Sequence, residues 1–234
     1  MIEVIGVTKR FQDFTAIQNL SLKVEKSSIY GLVGYNGAGK TTLIRALLGE
    51  YAHGGTIRHV DGEGRDVAHM RTGYVPQHLE FDKEMPVTVE DFEPHATIES
   101  MGKFYAGYYP RFSFDTMHKL SKVFGLDTKK SIRGFSKGMQ RQAEIILGMS
   151  TMPEVILLDE SFDGLDPAKR NLIKNLLLEY MAEEECSVII SSHNLHDLAD
   201  MCDHIALING KSIVMDCSVD DISGSRCKFR LVFD

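Results

Sequence analysis

An α/β fold with a parallel sheet, a small N-terminal antiparallel β part and an inserted helical subdomain is what the sequence predicts, on three observations. The apolar runs at 155–158 and 187–190 have the length and unbroken apolar character of strands buried on both faces of a parallel sheet. A glycine-rich turn separates a strand signal at 29–33 from a helix signal at 41–48. Strand, helix and strand then follow one another between 155 and 190, the order of an α/β architecture.

Each element has its own signal. The first 33 residues read as short strands at 2–7, at 16–24 with alternating apolar positions, and at 29–33. Further strand signals lie near 56–60 and 73–75. From about 89 to 149 the pattern becomes mainly helical, which marks the inserted subdomain. The helix between the last two strands has a readable start, because Asp166 can cap it and Pro167 fits its first position. Leu172, Ile173, Leu176, Leu177 and Tyr180 then recur at helical spacing and give that helix a core face. With no internal repeat and no Pro/Gly/Ser-rich linker, residues 1–222 are predicted to form one domain. Residues 223–234, which end in the apolar run from Lys228 to Asp234, read as the start of a C-terminal element or as a cut end.

Composition narrows the function classes. A chain of 234 residues with 43% hydrophobic and 25% charged residues can bury a sizeable core, and a formal charge of −7 argues against a surface built to hold nucleic acid. Cys186, Cys202, Cys217 and Cys227 contain no C-x-x-C pair, which fits reduced thiols in a cytoplasm. Met1-Ile2-Glu3-Val4 lacks a basic region followed by an apolar stretch, so no secretion signal is predicted. Apolar runs such as Val155-Ile156-Leu157-Leu158 fall far short of the roughly 20 residues a membrane-spanning helix needs. Any membrane role must come through a partner.

Gly34-Tyr35-Asn36-Gly37-Ala38-Gly39-Lys40-Thr41 matches the phosphate-binding pattern G-x-x-x-x-G-K-[ST] and lies between a strand and a helix, where the mechanism needs it. Glycines let backbone N–H groups close around phosphate oxygens, and the helix start adds the positive end of its dipole. Gly34, Asn36, Gly37, Ala38, Gly39, Lys40, Thr41 and Thr42 are the nucleotide-binding candidates. Lys40 is expected to reach the β- and γ-phosphates of ATP, and Thr41 to offer its hydroxyl to Mg²⁺. The core is thereby predicted to be that of a P-loop NTPase.

The strand at 155–158 ends in Asp159-Glu160, which puts two carboxylates at the C-terminal edge of the sheet, where open α/β folds bind ligands. Asp159 is the Mg²⁺ candidate, and Glu160 the group that polarises the attacking water. An acid pair at a strand end is also an ordinary solvated end or helix cap, and the glycine loop favours the catalytic alternative.

These motifs, with others in the same order, resemble the ABC ATPase family over nearly the whole chain. The resemblance implies that Gln77, in Val75-Pro76-Gln77, senses Mg²⁺ and the membrane partner, and that His193, after Ser191-Ser192, contacts the γ-phosphate. Phe135-Ser136-Lys137-Gly138-Met139 stands where the family has L-S-G-G-Q, so Ser136 and Gly138 would face the nucleotide of a second subunit, and Gly164-Leu165-Asp166 matches the family's D-loop, which puts Asp166 among the implied nucleotide-binding residues. Phe11 is the implied aromatic that stacks on adenine, with Phe14 as the second choice. Lys40, Gln77, Glu160 and His193 form the implied catalytic set, and Thr41, Gln77 and Asp159 the metal set.

Two departures from the family pattern stand out. Lys137 and Met139 replace the usual glycine and glutamine, and this S-K-G-M form resembles bacterial exporter-type subunits. Ser161 follows Glu160 where proline is usual, so the turn loses some stiffness. Phe104, Tyr105, Tyr108 and Tyr109 cluster in the helical region, either as a dock for a membrane subunit or as ordinary packing. The resemblance implies an ATPase subunit, peripheral on the cytoplasmic face of a cell membrane, that pairs with a second ATPase subunit and drives separate transmembrane subunits. The alternatives are a soluble ABC ATPase acting on DNA or ribosomes, which usually carries a long coiled-coil insertion or a second cassette, and a P-loop kinase, which would lack the Ser136 and His193 elements.

Overall fold

The computed structural model describes residues 1–61, 63–68, 70–77, 96–162, 165 and 167–224. Alternating apolar positions set up β1 (Ile2–Phe11) and β2 (Phe14–Val24), an antiparallel pair joined from Ile2↔Val24 to Phe11↔Phe14. With β4 (Gly54–Val60) and β5 (Asp66–Val67) they form a sheet in the order β2-β1-β4-β5. β1 extends past its expected end near Val7. Register shifts between Val4 and Val7 and on to Arg10 break the period of two that a strand needs to be readable.

A second sheet carries the glycine loop and the acid pair. Six strands, β3 (Ile29–Val33), β6 (Thr72–Val75), β7 (Val155–Asp159), β8 (Ser187–Ser192), β9 (His204–Asn209) and β10 (Ser212–Ser218), lie in the order β10-β9-β3-β8-β7-β6. β9, β3, β8, β7 and β6 run parallel, and β10 is an antiparallel edge. β3, β7 and β8 are buried at every position. Successive side chains of a strand point to opposite faces. Thus Tyr30, Leu32, Leu157, Ile189 and Ile208 pack with β1, β2 and α1 (Lys40–Leu47), while Ile156, Leu158, Val188, Ile190 and Leu207 pack on the other face.

That other face receives the helices. α2 (Ile98–Tyr108), α3 (Phe114–Phe124) and α4 (Lys137–Ser150) share one core with it through Met101, Met117, Leu120, Ile145 and Ile146. Each helix starts where a hydroxyl can cap it: Thr97, Ser113 and Ser136 accept from the backbone N–H three residues on. α5 (Pro167–Glu184) presents Ile173, Leu176, Leu177 and Tyr180 to the core, and α6 (Leu195–Ala199) and α7 (Val219–Gly224) are short. Phe104 and Tyr105 pack against the shared core, whereas Tyr108 stays 68% exposed.

Cys186, Cys202 and Cys217 are free thiols, and burial pushes the first two up to about 12. No helix among the described residues is long and apolar enough to cross a membrane. Cys227 and the run from Lys228 to Asp234 lie outside the described residues, as do Gly164 and Asp166.

Candidate functional site

The parallel register decides what meets at the sheet's C-terminal edge. Val33 pairs with Ser192, Asp159 with Ser191 and Val75 with Leu158, so the segments that leave these strands emerge side by side. They are the glycine loop, His193, Glu160 and Pro76-Gln77. Residues far apart in sequence therefore share one rim.

The glycine loop is shaped by contacts that exclude side chains. Gly39 has φ +107, and a Cβ there would lie 2.4 Å from Ile17 Cγ2 and 2.9 Å from the Ala16 carbonyl on β2. A Cβ on Gly34 would lie 2.8 Å from the Ile208 carbonyl. Ala38 is fully buried and donates its N–H to the Tyr35 carbonyl at 3.1 Å, while Asn36 and Gly37 are exposed. Gly39 precedes α1 and supplies no side-chain cap, so the first turn keeps backbone donors for an anion. Thr41 and Thr42 sit half-buried in that turn.

Lys40 turns back into the loop, only 3% exposed. Its ammonium donates to the Gly34 carbonyl at 2.6 Å and the Tyr35 carbonyl at 3.1 Å, and it lies 3.1 Å from Glu160 Oε1. The other oxygen, Glu160 Oε2, accepts from the Gln77 side-chain amide. Glu160 has φ +46, a left-handed conformation that costs a non-glycine residue energy. It is held there because its N–H donates to both the carbonyl and the hydroxyl of Ser191, at 3.2 and 3.0 Å. The buried Ser161 hydroxyl donates to the Val75 carbonyl at 3.3 Å and the Asp159 carbonyl at 3.4 Å. These contacts tie the turn to the ends of β6 and β7.

Asp159 is fully buried. One carboxylate oxygen accepts from the Ser191 hydroxyl, and Oδ2 has no hydrogen-bond partner. A buried, unpartnered carboxylate oxygen costs free energy unless it meets a cation or its bound water. Among the described residues no group of three or more His, Cys, Asp or Glu could hold a metal alone. Mg²⁺ binds through one or two protein oxygens plus substrate phosphates and water. Asp159, the Thr41 hydroxyl and the Gln77 amide oxygen are donors of the right kind.

The remaining candidates lie around this centre. His193 is exposed immediately after β8. Ser136 caps α4 by accepting from the Met139 N–H at 3.3 Å, and α4 begins at Lys137, one residue earlier than the expected start near Gly138. Ser136 is exposed, whereas Phe135 and Met139 anchor the segment in the core. Phe11, 40% exposed, meets Tyr51 edge-on at 5.2 Å beneath the Lys9 ammonium; Phe14, 55% exposed, lies under the Lys211 ammonium at 4.7 Å. Both rings are exposed, each beside a lysine ammonium.

Sequence reasoning misses two residues that the geometry brings in. Ser191 holds both Asp159 and Glu160, yet in Ser191-Ser192 it reads as a polar strand end. Arg141 reaches from α4 to the carbonyls of Pro76, Gln77 and Asp159, yet an arginine early in a helix reads as a solvated charge. No local pattern marks either one.

Comparison with known proteins shows the family and the fold. The family model for the ABC transporter matches residues 17–163. The ABC transporter ATP-binding protein YtrB of Bacillus subtilis is 29% identical over 235 residues, spanning 100% of this chain and 77% of the relative. The Nod factor export ATP-binding protein I of Ralstonia nicotianae is 31% identical over 221 residues, 91% of this chain and 66% of its own, and the methionine import ATP-binding protein MetN of Clostridium tetani is 28% identical over 233 residues, 95% of this chain and 70% of its own. A solved structure of the ATP-binding subunit of an ABC transporter superposes with a TM-score of 0.78 at 22% identity, covering 96% of this chain and 92% of that one.

Proposed function

We propose that this chain, which belongs to the ABC transporter family, works as one half of a pair in which two ATP molecules are clamped between one subunit's glycine loop and the other's Ser136–Gly138 segment. It is an ATP-binding, ATP-hydrolysing transport subunit. Closure and hydrolysis would drive separate transmembrane subunits, to which the chain would bind at the cytoplasmic face of the membrane. Export is the direction we infer, from the S-K-G-M form at Ser136–Met139 and from the relative named for export.

The observation that carries this reading is the meeting of Lys40, Glu160 and Gln77 beside the unpartnered Asp159 oxygen. Incoming phosphates are held by the glycine-loop N–H groups and the start of α1, and Lys40 exchanges Glu160 for the β- and γ-phosphates. Glu160, released from Lys40 and next to Gln77, accepts the proton of the attacking water. Thr41, Asp159 and Gln77 would hold Mg²⁺, which would neutralise phosphate charge there. His193 contacts the γ-phosphate from the end of β8.

Membrane fractionation tests the transport role. The chain should sediment with membranes when its transmembrane partner is co-expressed and remain in the supernatant without it. Equal sedimentation in both cases would exclude recruitment by a partner.

A further inference from the structure

We propose that Arg141 is a positioning residue for hydrolysis, a guanidinium that fixes the Gln77 segment and the Asp159-Glu160 turn to the helix bearing Ser136 and Gly138. This inference rests on the roles given above to Gln77, Asp159 and Glu160.

The geometry is specific to an arginine. Nη1 donates to the Pro76 carbonyl and to Glu144 Oε2, the latter at 2.6 Å, and Nη2 donates to the Gln77 carbonyl at 2.8 Å and the Asp159 carbonyl at 3.4 Å. The side chain is only 11% exposed, and Glu144, one turn further along α4, is 16% exposed. Pro76 and Gln77 lie just past the end of β6, and Asp159 is the last residue of β7. One planar fork thus satisfies carbonyls where two adjacent strands end. A lysine, a compact point charge, can reach only part of that set.

Glu144 makes the arrangement affordable, because it gives the half-hidden cation a countercharge. Burial pushes the Glu144 carboxyl above its usual range, with Arg141 pulling the other way. The hydrogen bonds of this pair run to Pro76, Gln77 and Asp159 rather than to the glycine loop. Their effect on the chemistry passes through the backbone on either side of the Gln77 amide and the Glu160 carboxylate. Because Ser136 caps the same helix, a displacement of α4 must also act on Gln77 and Asp159, which links the surface facing a second subunit to the groups that handle water and metal.

The test uses the purified full chain. ATP affinity and binding stoichiometry are measured by calorimetry, and the hydrolysis rate is expressed per bound nucleotide. The variants are Arg141→Lys, Glu144→Gln and the double variant Arg141→Gln with Glu144→Gln, which leaves no unpaired buried charge. Loss of hydrogen bonds to a charged donor predicts a fall of about 10- to 100-fold in kcat per bound nucleotide for the double variant, with Kd for ATP within about threefold. Arg141→Lys should recover part of that loss, and Glu144→Gln alone, which leaves the Arg141 cation without its countercharge, should fall between wild type and the double variant. A lower stoichiometry with wild-type kcat per bound nucleotide would mean that Arg141 serves folding only, which overturns the proposal. Full recovery by lysine would overturn the fork geometry. Glu160→Gln, assayed alongside, separates the levels: if it abolishes hydrolysis while the Arg141 variants turn over normally, Arg141 is not a positioning residue. If Glu160→Gln itself hydrolyses at the wild-type rate, the carboxylate assignment falls, and this proposal with it.

Discussion

The Lys40 ammonium lies 3.1 Å from Glu160 Oε1, with both side chains buried, so the group expected to hold phosphate and the group expected to activate water are paired with each other. On the proposed reading, ATP breaks this pair when it binds. Removing Lys40 alone should therefore have two effects. A buried carboxylate left without its cation costs about 3–5 kcal/mol of stability, and ATP affinity should fall by at least about tenfold with the loss of a charge-assisted contact. Lys40→Met combined with Glu160→Gln should regain stability in urea titrations without regaining affinity by calorimetry. Recovery of both together would show that Lys40 contributes only to folding.

The glycines of the loop should differ in cost according to what surrounds them. Gly39→Ala combines a positive φ with a clash against Ile17 and should destabilise by more than about 2 kcal/mol. Gly37 has φ +85 but nothing within 4 Å of its missing Cβ, so Gly37→Ala should cost only about 1 kcal/mol. Equal losses in chemical denaturation would contradict the packing of β2 on the loop.

Much of this was legible because the signals are local. The glycine loop and the acid pair need only a strand before them, and each strand is a buried apolar run. β9 and β10 were not anticipated, although Gly210 and Lys211 both take positive φ in the two-residue turn that joins them. A register shift between Ile213 and Met215 breaks the alternation of β10, and the strand lies half-exposed at the sheet edge. Ser191 and Arg141 were invisible for a different reason. Their partners lie 32 and up to 65 positions away, and only the parallel register brings them within reach.

The adenine contact should separate Phe11 from Phe14. Phe11→Ala should weaken ATP binding by about tenfold, the loss of one stacked base, and leave inorganic tripolyphosphate binding unchanged. Phe14→Ala should leave both within about twofold on the same scale. The opposite pattern in competition calorimetry would assign the base to Phe14.

Asp159→Asn keeps an acceptor for the Ser191 hydroxyl while removing the charge beside the unpartnered oxygen. The Mg²⁺ concentration giving half-maximal hydrolysis should rise, with nucleotide binding in EDTA unchanged. An unaltered Mg²⁺ dependence would remove Asp159 from the metal set.

The paired-subunit mechanism is tested most directly by Glu160→Gln. The amide keeps the side chain's shape while losing the basic oxygen, and Lys40 becomes free for phosphate. Thr41 and Asp159 remain to hold Mg²⁺, and Ser136 and Gly138 of a second copy remain to cover the γ-phosphate. Because hydrolysis is what would open the pair, the variant should accumulate as an ATP-bound dimer whose population rises with ATP. Size-exclusion chromatography with light scattering, run with and without Mg²⁺-ATP, should show a dimer only with nucleotide, and only a transient one for the wild type. A variant that stays monomeric at saturating ATP and still hydrolyses it at the wild-type rate would contradict both the role of Glu160 and the shared site.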